Sequence, residues 1–171
     1  VYASKDRVQE NNRTYEELTS SKWNRWIRSR SGKNYYNIDL IASIVALHGF
    51  EEAKLWPKGV KENLARRPQG TNRAQVKAIY VGLCDISLGN SYYFGKMLAD
   101  KEQQDWARSV KLLFPNQGNL GNYVNISGMA LTKYAPNQDD AIKLMHFLVS
   151  EEAQKIYAEV NYEFPVLTGV D

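Results

Sequence analysis

The chain has little of what catalytic sites are usually built from. Cysteine occurs once in 171 residues and histidine twice. A single cysteine excludes an intrachain disulfide and favours neither redox compartment. Cys84 lies in the apolar run Leu83-Cys84-Asp85-Ile86-Ser87-Leu88, where a small buried hydrophobe is expected rather than a reactive thiol. His48 falls at an expected helix end and His146 inside an expected helix, neither beside a plausible nucleophile. No nucleophile elbow, phosphate-binding loop, metal-ligating His/Glu helix or paired-carboxylate motif occurs, so the chain does not read as an enzyme.

Net charge is also scarce, at +3. The basic stretch Lys58, Lys61, Arg66, Arg67, Arg73 and Lys77 is interleaved with Glu62 and lacks base-stacking aromatics, so it reads as a solvated helix face and not as a nucleic-acid surface. No apolar run reaches the length of a membrane-spanning helix. No secretory leader pattern opens the chain, which begins inside an expected strand, so a leader would belong to a longer precursor. Repeats and low-complexity segments are lacking too. With 43% hydrophobic residues, the chain has ample material for a core.

What is present is an alternation of short apolar runs and amphipathic stretches, the pattern of an α/β fold with helices on both faces of a mixed, mainly parallel sheet. Strands are expected over 1–8, 25–29, 84–88, 110–114 and 123–131. Asn37 is the expected cap of a helix ending at His48-Gly49, and a helix over 51–64 should be kinked or divided at Pro57. Thr71 or Asn72 opens a further helix whose apolar face is Val76, Ile79, Tyr80 and Leu83. Asn137 caps another, led by Asp139 and Asp140. Ser150 opens the last, with Ala153, Ile156, Tyr157 and Val160 on one face. The Asn- and Gly-rich stretch 115–122 reads as a surface loop. Trp23, Trp26, Trp56 and Trp106 have the spacing of packing residues.

Tyrosine supplies the distinctive chemistry. Tyr92 and Tyr93 follow Ser87-Leu88-Gly89-Asn90-Ser91 at one strand-to-helix junction, and Tyr36 follows Ser31-Gly32-Lys33-Asn34-Tyr35 at another. A phenol ionises at about pH 10, so it ligates poorly near neutrality unless its anion is stabilised. A helix start and a trivalent cation both supply that stabilisation, and hard oxygen donors match a hard ion such as ferric iron. Ser31, Gly32, Asn72 and Asn90 sit at similar turns, where backbone amides can cradle an oxyanion at the carboxyl ends of strands. Taken by spacing alone, adjacent tyrosines are more often core or interface aromatics, and eleven tyrosines make a chance pair common.

A resemblance covers nearly the whole chain. Tyr15-Glu16-Glu17-Leu18, Ser21-Lys22-Trp23-Asn24, Arg30-Ser31-Gly32 with Tyr36-Asn37, Asn63-Leu64-Ala65-Arg66-Arg67-Pro68-Gln69-Gly70 and Leu88-Gly89-Asn90-Ser91-Tyr92-Tyr93 resemble successive landmarks of the periplasmic ferric-ion-binding proteins. Phe114-Pro115-Asn116-Gln117, Leu131-Thr132-Lys133-Tyr134-Ala135-Pro136-Asn137 and Ser150-Glu151-Glu152-Ala153-Gln154 continue the order. These are the solute-binding components of bacterial iron ABC transporters. The resemblance implies a periplasmic carrier that holds ferric iron through Tyr36, Tyr92 and Tyr93. It implies a synergistic carbonate or phosphate at Ser31, Gly32 and Asn90, with Asn72 beside them, and delivery to an inner-membrane permease. The alternative is a carrier of the same fold for an oxyanion or small organic solute without metal. Family members are two-lobed. The resemblance therefore assigns residues 1–122 to a second-lobe core, and 123–171 to a hinge crossing and helices that pack largely on a first lobe. The chain would then stop at Thr168-Gly169-Val170-Asp171, before that lobe's final helices.

Overall fold

The computed structural model describes residues 1–11 and 13–170; Asp171, at the end of the expected return segment, lies outside them. Two compact units result, Val1–Asn125 and Ile126–Asp171.

The first unit is built on a four-stranded sheet of order β2-β3-β1-β4, with β1 at Tyr2–Ser4, β2 at Ile27–Arg28, β3 at Ile86–Ser87 and β4 at Val110–Leu112. β2 and β3 pair in parallel, while β1 runs antiparallel to both β3 and β4. Three strands thus point one way and β1 is inserted against them. The sheet is mixed as expected, but two of its three ladders are antiparallel.

The strand expected over 1–8 stops at Ser4 because the chain turns there. Val8 N–H returns to Ser4 O, and the Arg7 guanidinium is held by Asp85 at 2.5 Å and by the carbonyls of Ile79 and Cys84. The strand expected over 123–131 does not form. Val124 and Ile126 are exposed, and no ladder pairs this run among the described residues. Apolar residues alone cannot make a strand without a neighbour to take its backbone groups.

Side chains alternate across the sheet and seed a cluster on each face. Ala3, Ile27 and Ile86 pack with Leu40 and Ile44 of α1 (Tyr35–His48), Ala53 of α2 (Phe50–Ala53), and Trp56 and Val60 of α3 (Leu55–Glu62). Tyr2 and Val110 pack with Val76 and Ile79 of α4 (Asn72–Tyr80), Met97 of α5 (Tyr92–Ala99) and Ala107 of α6 (Gln104–Arg108).

The helix expected over 51–64 is two helices. The break falls at Lys54, ahead of Pro57, which sits in the first turn of α3 where its missing N–H costs least. Thr71 caps α4, its hydroxyl accepting from Ala74 N–H at 3.3 Å. The buried residues of α4 are Asn72, Gln75, Val76, Ala78 and Ile79; Tyr80, expected inside, is exposed as its last residue, and Leu83 is exposed beyond the helix end. Cys84 is fully buried, and burial pushes its thiol up to about 12. His48 closes α1 and pairs with Glu16 at 2.9 Å. The stretch 115–122 is anchored, not free: Asn116 is buried, accepts from Tyr15 N–H and donates to Glu16. Trp23 and Trp56 are buried, whereas Trp26 is exposed.

Gly59 of α3 faces Thr19, and a Cβ there would lie 2.7 Å from Thr19 Cβ. Alanine normally favours a helix over glycine by about 1 kcal/mol. Here the overlap reverses the sign, and Gly59→Ala is expected to destabilise by about 1–3 kcal/mol in urea unfolding. An equal or higher midpoint would show that α3 and the turn at Thr19 can separate freely.

The second unit carries α7 (Gln138–Leu148) and α8 (Glu151–Ile156), followed by a wider π turn over Tyr157–Asn161. Asn137 precedes α7 without a side-chain cap bond, whereas Ser150 caps α8 by accepting from Ala153 N–H at 3.4 Å. Gln154 ties this unit together, donating to Leu148 O and accepting from Val166 N–H, both at 2.7 Å. Ala153 is buried, but Ile156 and Val160, expected on the same packed face, are exposed.

Candidate functional site

The site begins with the parallel pair β2 and β3, whose carboxyl ends lie side by side. Each strand runs through a short loop into a helix, α1 or α5, so both helix starts gather at one end of the sheet. The phenols occupy the same place in each helix: Tyr35-Tyr36 open α1 and Tyr92-Tyr93 open α5.

The loop before α1 is pinned by Asn37, which was expected to be the cap. The helix instead starts at Tyr35, and Asn37 Nδ2 reaches back to Ser29 Oγ at 3.2 Å and to the carbonyls of Arg30 and Ser31, each at 3.0 Å. This clamp fixes where Tyr36 emerges. Tyr36, and not the more exposed Tyr35, reaches across to α5, and the hydroxyls of Tyr36 and Tyr92 are 2.9 Å apart. The Tyr92 and Tyr93 rings lie against each other with centroids 4.3 Å apart.

The three phenols are electrostatically unequal. Burial holds Tyr92 above the ordinary phenol range, and its hydrogen bonds with Tyr36 and Tyr93 add to the shift. Tyr93 is held below that range, chiefly by the hydrogen bond from Tyr92, against some burial, with Asn72, Arg30 and Lys96 assisting. The two cations also sit over rings, Arg30 5.9 Å from the Tyr36 centroid and Lys96 5.2 Å from that of Tyr92. A proton removed from this cluster is therefore lost most readily from Tyr93.

Of the expected anion-binding residues, Asn72 and Asn90 stand beside the phenols. Asn72 is buried at the start of α4, and its Nδ2 has no acceptor at hydrogen-bonding geometry. Its Oδ1 lies against the Gly89 backbone. Asn72 also helps to hold the Tyr93 phenol below its ordinary range. Asn90 is half-buried in the turn before α5. Ser31 and Gly32 lie in the neighbouring loop, both exposed, with nothing within 4 Å of where a Gly32 Cβ would stand. They join the cluster through Asn37, which binds Ser31 O. Among the described residues no group of three His, Cys, Asp or Glu side chains could hold a metal.

Three neighbours escaped sequence reasoning. Arg30 and Lys96 look like any surface cations in the sequence. Tyr2 lies more than eighty residues from the turn that it contacts, and only strand register brings it there.

The chain matches the family model described as bacterial extracellular solute-binding protein over residues 2–171. It is 46% identical over 159 residues to iron uptake protein A1 of Synechocystis sp., covering 92% of this chain and 44% of that one. A Trichodesmium protein solved in complex with iron and citrate superposes with a TM-score of 0.95 at 45% identity, over 99% of this chain and 55% of that one. The apo ferric ion-binding protein A of Pasteurella haemolytica superposes with a TM-score of 0.93 at 45% identity, over 99% of this chain and 54% of its own. The chain spans about half the length of these relatives. Its α/β architecture is that of the periplasmic-binding-protein fold, and the chain belongs to the bacterial extracellular solute-binding proteins.

Proposed function

We propose that this chain captures ferric iron outside the cytoplasm, with Tyr36, Tyr92 and Tyr93 as phenolate ligands, and performs no catalysis. The observation that carries this reading is the meeting of the Tyr36 and Tyr92 hydroxyls at 2.9 Å, from two helices that start at one end of the sheet. Two phenols brought to hydrogen-bonding distance need little rearrangement to share a cation. Tyr93, already held below the ordinary phenol range, would be the first to give up its proton. A synergistic oxyanion, carbonate or phosphate, would complete the coordination at Asn72 and Asn90, with Ser31 and Gly32 closing the opposite loop. The Nδ2 of Asn72 is the ready donor. The names of the relatives, iron uptake and ferric ion-binding proteins, support the cargo. Delivery to an inner-membrane ABC permease from the periplasm belongs to the same proposal, and the match to the extracellular solute-binding family supports it.

Titration with chelated ferric iron in bicarbonate buffer tests the reading. The expected result is a visible phenolate-to-iron charge-transfer band that saturates at one iron per chain. Tight binding of an oxyanion or organic solute with no such band would favour the metal-free carrier instead.

A further lobe is part of the same proposal. Ile142, Leu144, Phe147, Val149, Ile156 and Val160 are all exposed on the second unit. A protein surface does not ordinarily leave so many large apolar groups in water. We propose that they pack against a lobe supplied by sequence beyond these residues. The 171-residue chain alone is then expected to self-associate in sedimentation velocity, and a strictly monomeric species over a wide concentration range would count against the division.

A further inference from the structure

Tyr2 is a fourth phenol in this neighbourhood, and the proposed coordination makes no use of it. It is fully buried in β1, in register opposite Ser87 of β3. Its hydroxyl donates to the carbonyl oxygen of Asn90. Its ring lies under Gly89, where a Cβ would come within 2.7 Å of Tyr2 Cε2 and 3.0 Å of Asn72 Oδ1. Only a residue without a side chain lets the turn settle this close. Burial pushes the Tyr2 phenol well above its ordinary range, with Tyr93 adding to the shift and the Phe94 amide opposing it. Tyr2 therefore remains a hydrogen-bond donor throughout the physiological pH range.

Peptide geometry carries this bond to the site. In a trans peptide the carbonyl and the following N–H point in opposite directions, and the chain has no cis bonds among the described residues. With the Asn90 carbonyl drawn down to Tyr2, the Ser91 N–H is turned to the other side of the chain, immediately before Tyr92 opens α5. We propose that Tyr2 is a positioning residue of the phenol site: its hydroxyl fixes the Asn90–Ser91 peptide, and so sets the direction of the turn's amide and of Tyr92 and Tyr93 together. This rests on the ferric-phenolate reading above for its consequence, but not for its geometry.

Tyr2→Phe in the full chain keeps the ring under Gly89 and removes only the hydroxyl. The first readout needs no metal. In hydrogen exchange followed by NMR, the Ser91 and Phe94 amides should exchange about tenfold faster in Tyr2→Phe as the turn loses its anchor. Unchanged exchange rates overturn the proposal whatever the protein binds. The second readout is release of ferric iron to a competing chelator, expected to be about tenfold faster in Tyr2→Phe, the effect of one hydrogen bond. A parent that shows the visible band and a variant with the same release rate would also overturn it. A parent without any band would instead defeat the ferric reading and leave the metal-free exchange to decide Tyr2. Gly89→Ala, which lifts the turn from the other side, should shift both readouts in the same direction. Val110→Ala, which opens a gap in the same buried cluster without touching the turn, should leave both at parental values. If it reproduced the Tyr2→Phe shifts, the role of Tyr2 would be general stability and the proposal would fail.

Discussion

Replacing Tyr92 and Tyr93 together by phenylalanine is expected to abolish the charge-transfer band and to weaken ferric binding by about a thousandfold or more. The magnitude follows from what a ligand contributes. A structural metal site held by four protein ligands binds with about 10–16 kcal/mol, so two ligands represent well over the ~4 kcal/mol that makes a thousandfold. Phenylalanine keeps both rings, whose centroids lie 4.3 Å apart, and removes only the oxygens. The Tyr92 hydroxyl also meets Tyr36 at 2.9 Å, and losing that bond should cost about 1 kcal/mol of stability, too little to unfold the domain. Equilibrium competition against a chelator of known affinity, with circular dichroism to confirm folding, measures the effect. Retention of parental affinity by a folded double variant would remove the phenols from the coordination.

Acid should release the metal steeply. A phenol binds as its anion, so each tyrosine recruited by iron discharges a proton, and falling pH opposes binding by mass action. Apparent affinity then drops by about tenfold per pH unit for every phenol ionised, or about a thousandfold per unit for three. The sign is fixed by the metal-free state. Tyr92 lies above the ordinary phenol range through burial, so it arrives protonated and must lose its proton to bind. Tyr93 lies below that range through its hydrogen bond from Tyr92, so its share fades first as the pH is raised. The dissociation constant measured across the neutral range at constant ionic strength gives the slope. Tyr36→Phe should lower it by one proton, and a slope near zero in the parent would favour the metal-free solute carrier.

Both expectations draw on residues that were legible before any coordinates. Tyr36, Tyr92 and Tyr93 stood out because each follows an apolar run and a polar turn, and the family resemblance singled them out. The caps at Thr71 and Ser150 were readable because capping is local: one hydroxyl and an amide three residues on. What was illegible depended on distance along the chain. The run 123–131 carries strand-like residues, but whether it becomes a strand depends on a neighbouring strand, which periodicity does not report. Asn37 looked like a cap because caps and loop clamps use the same side chain. Its three bonds run backwards into 29–31, not forwards into the helix. Leu83 continues the helical spacing of Val76 and Ile79, yet α4 has already ended at Tyr80 and the chain turns through Gly82 at a φ of 77°, in the left-handed region.

The reversed strand β1 also has a bearing on when the protein can fold. Tyr2 pairs with Ser87 on one side and with Leu112 on the other, so the middle of the sheet waits for residues made long after it. β1 has no neighbour until Ser87 is made, Tyr2 has no carbonyl to hold until Asn90 follows, and the second ladder waits for Leu112. Such non-local pairing slows folding, because a long loop must close before any contact rewards it. During synthesis this unit is therefore expected to stay open until β4 has emerged, so that the sheet closes late, as a single event, after the helices that carry the phenols have been made.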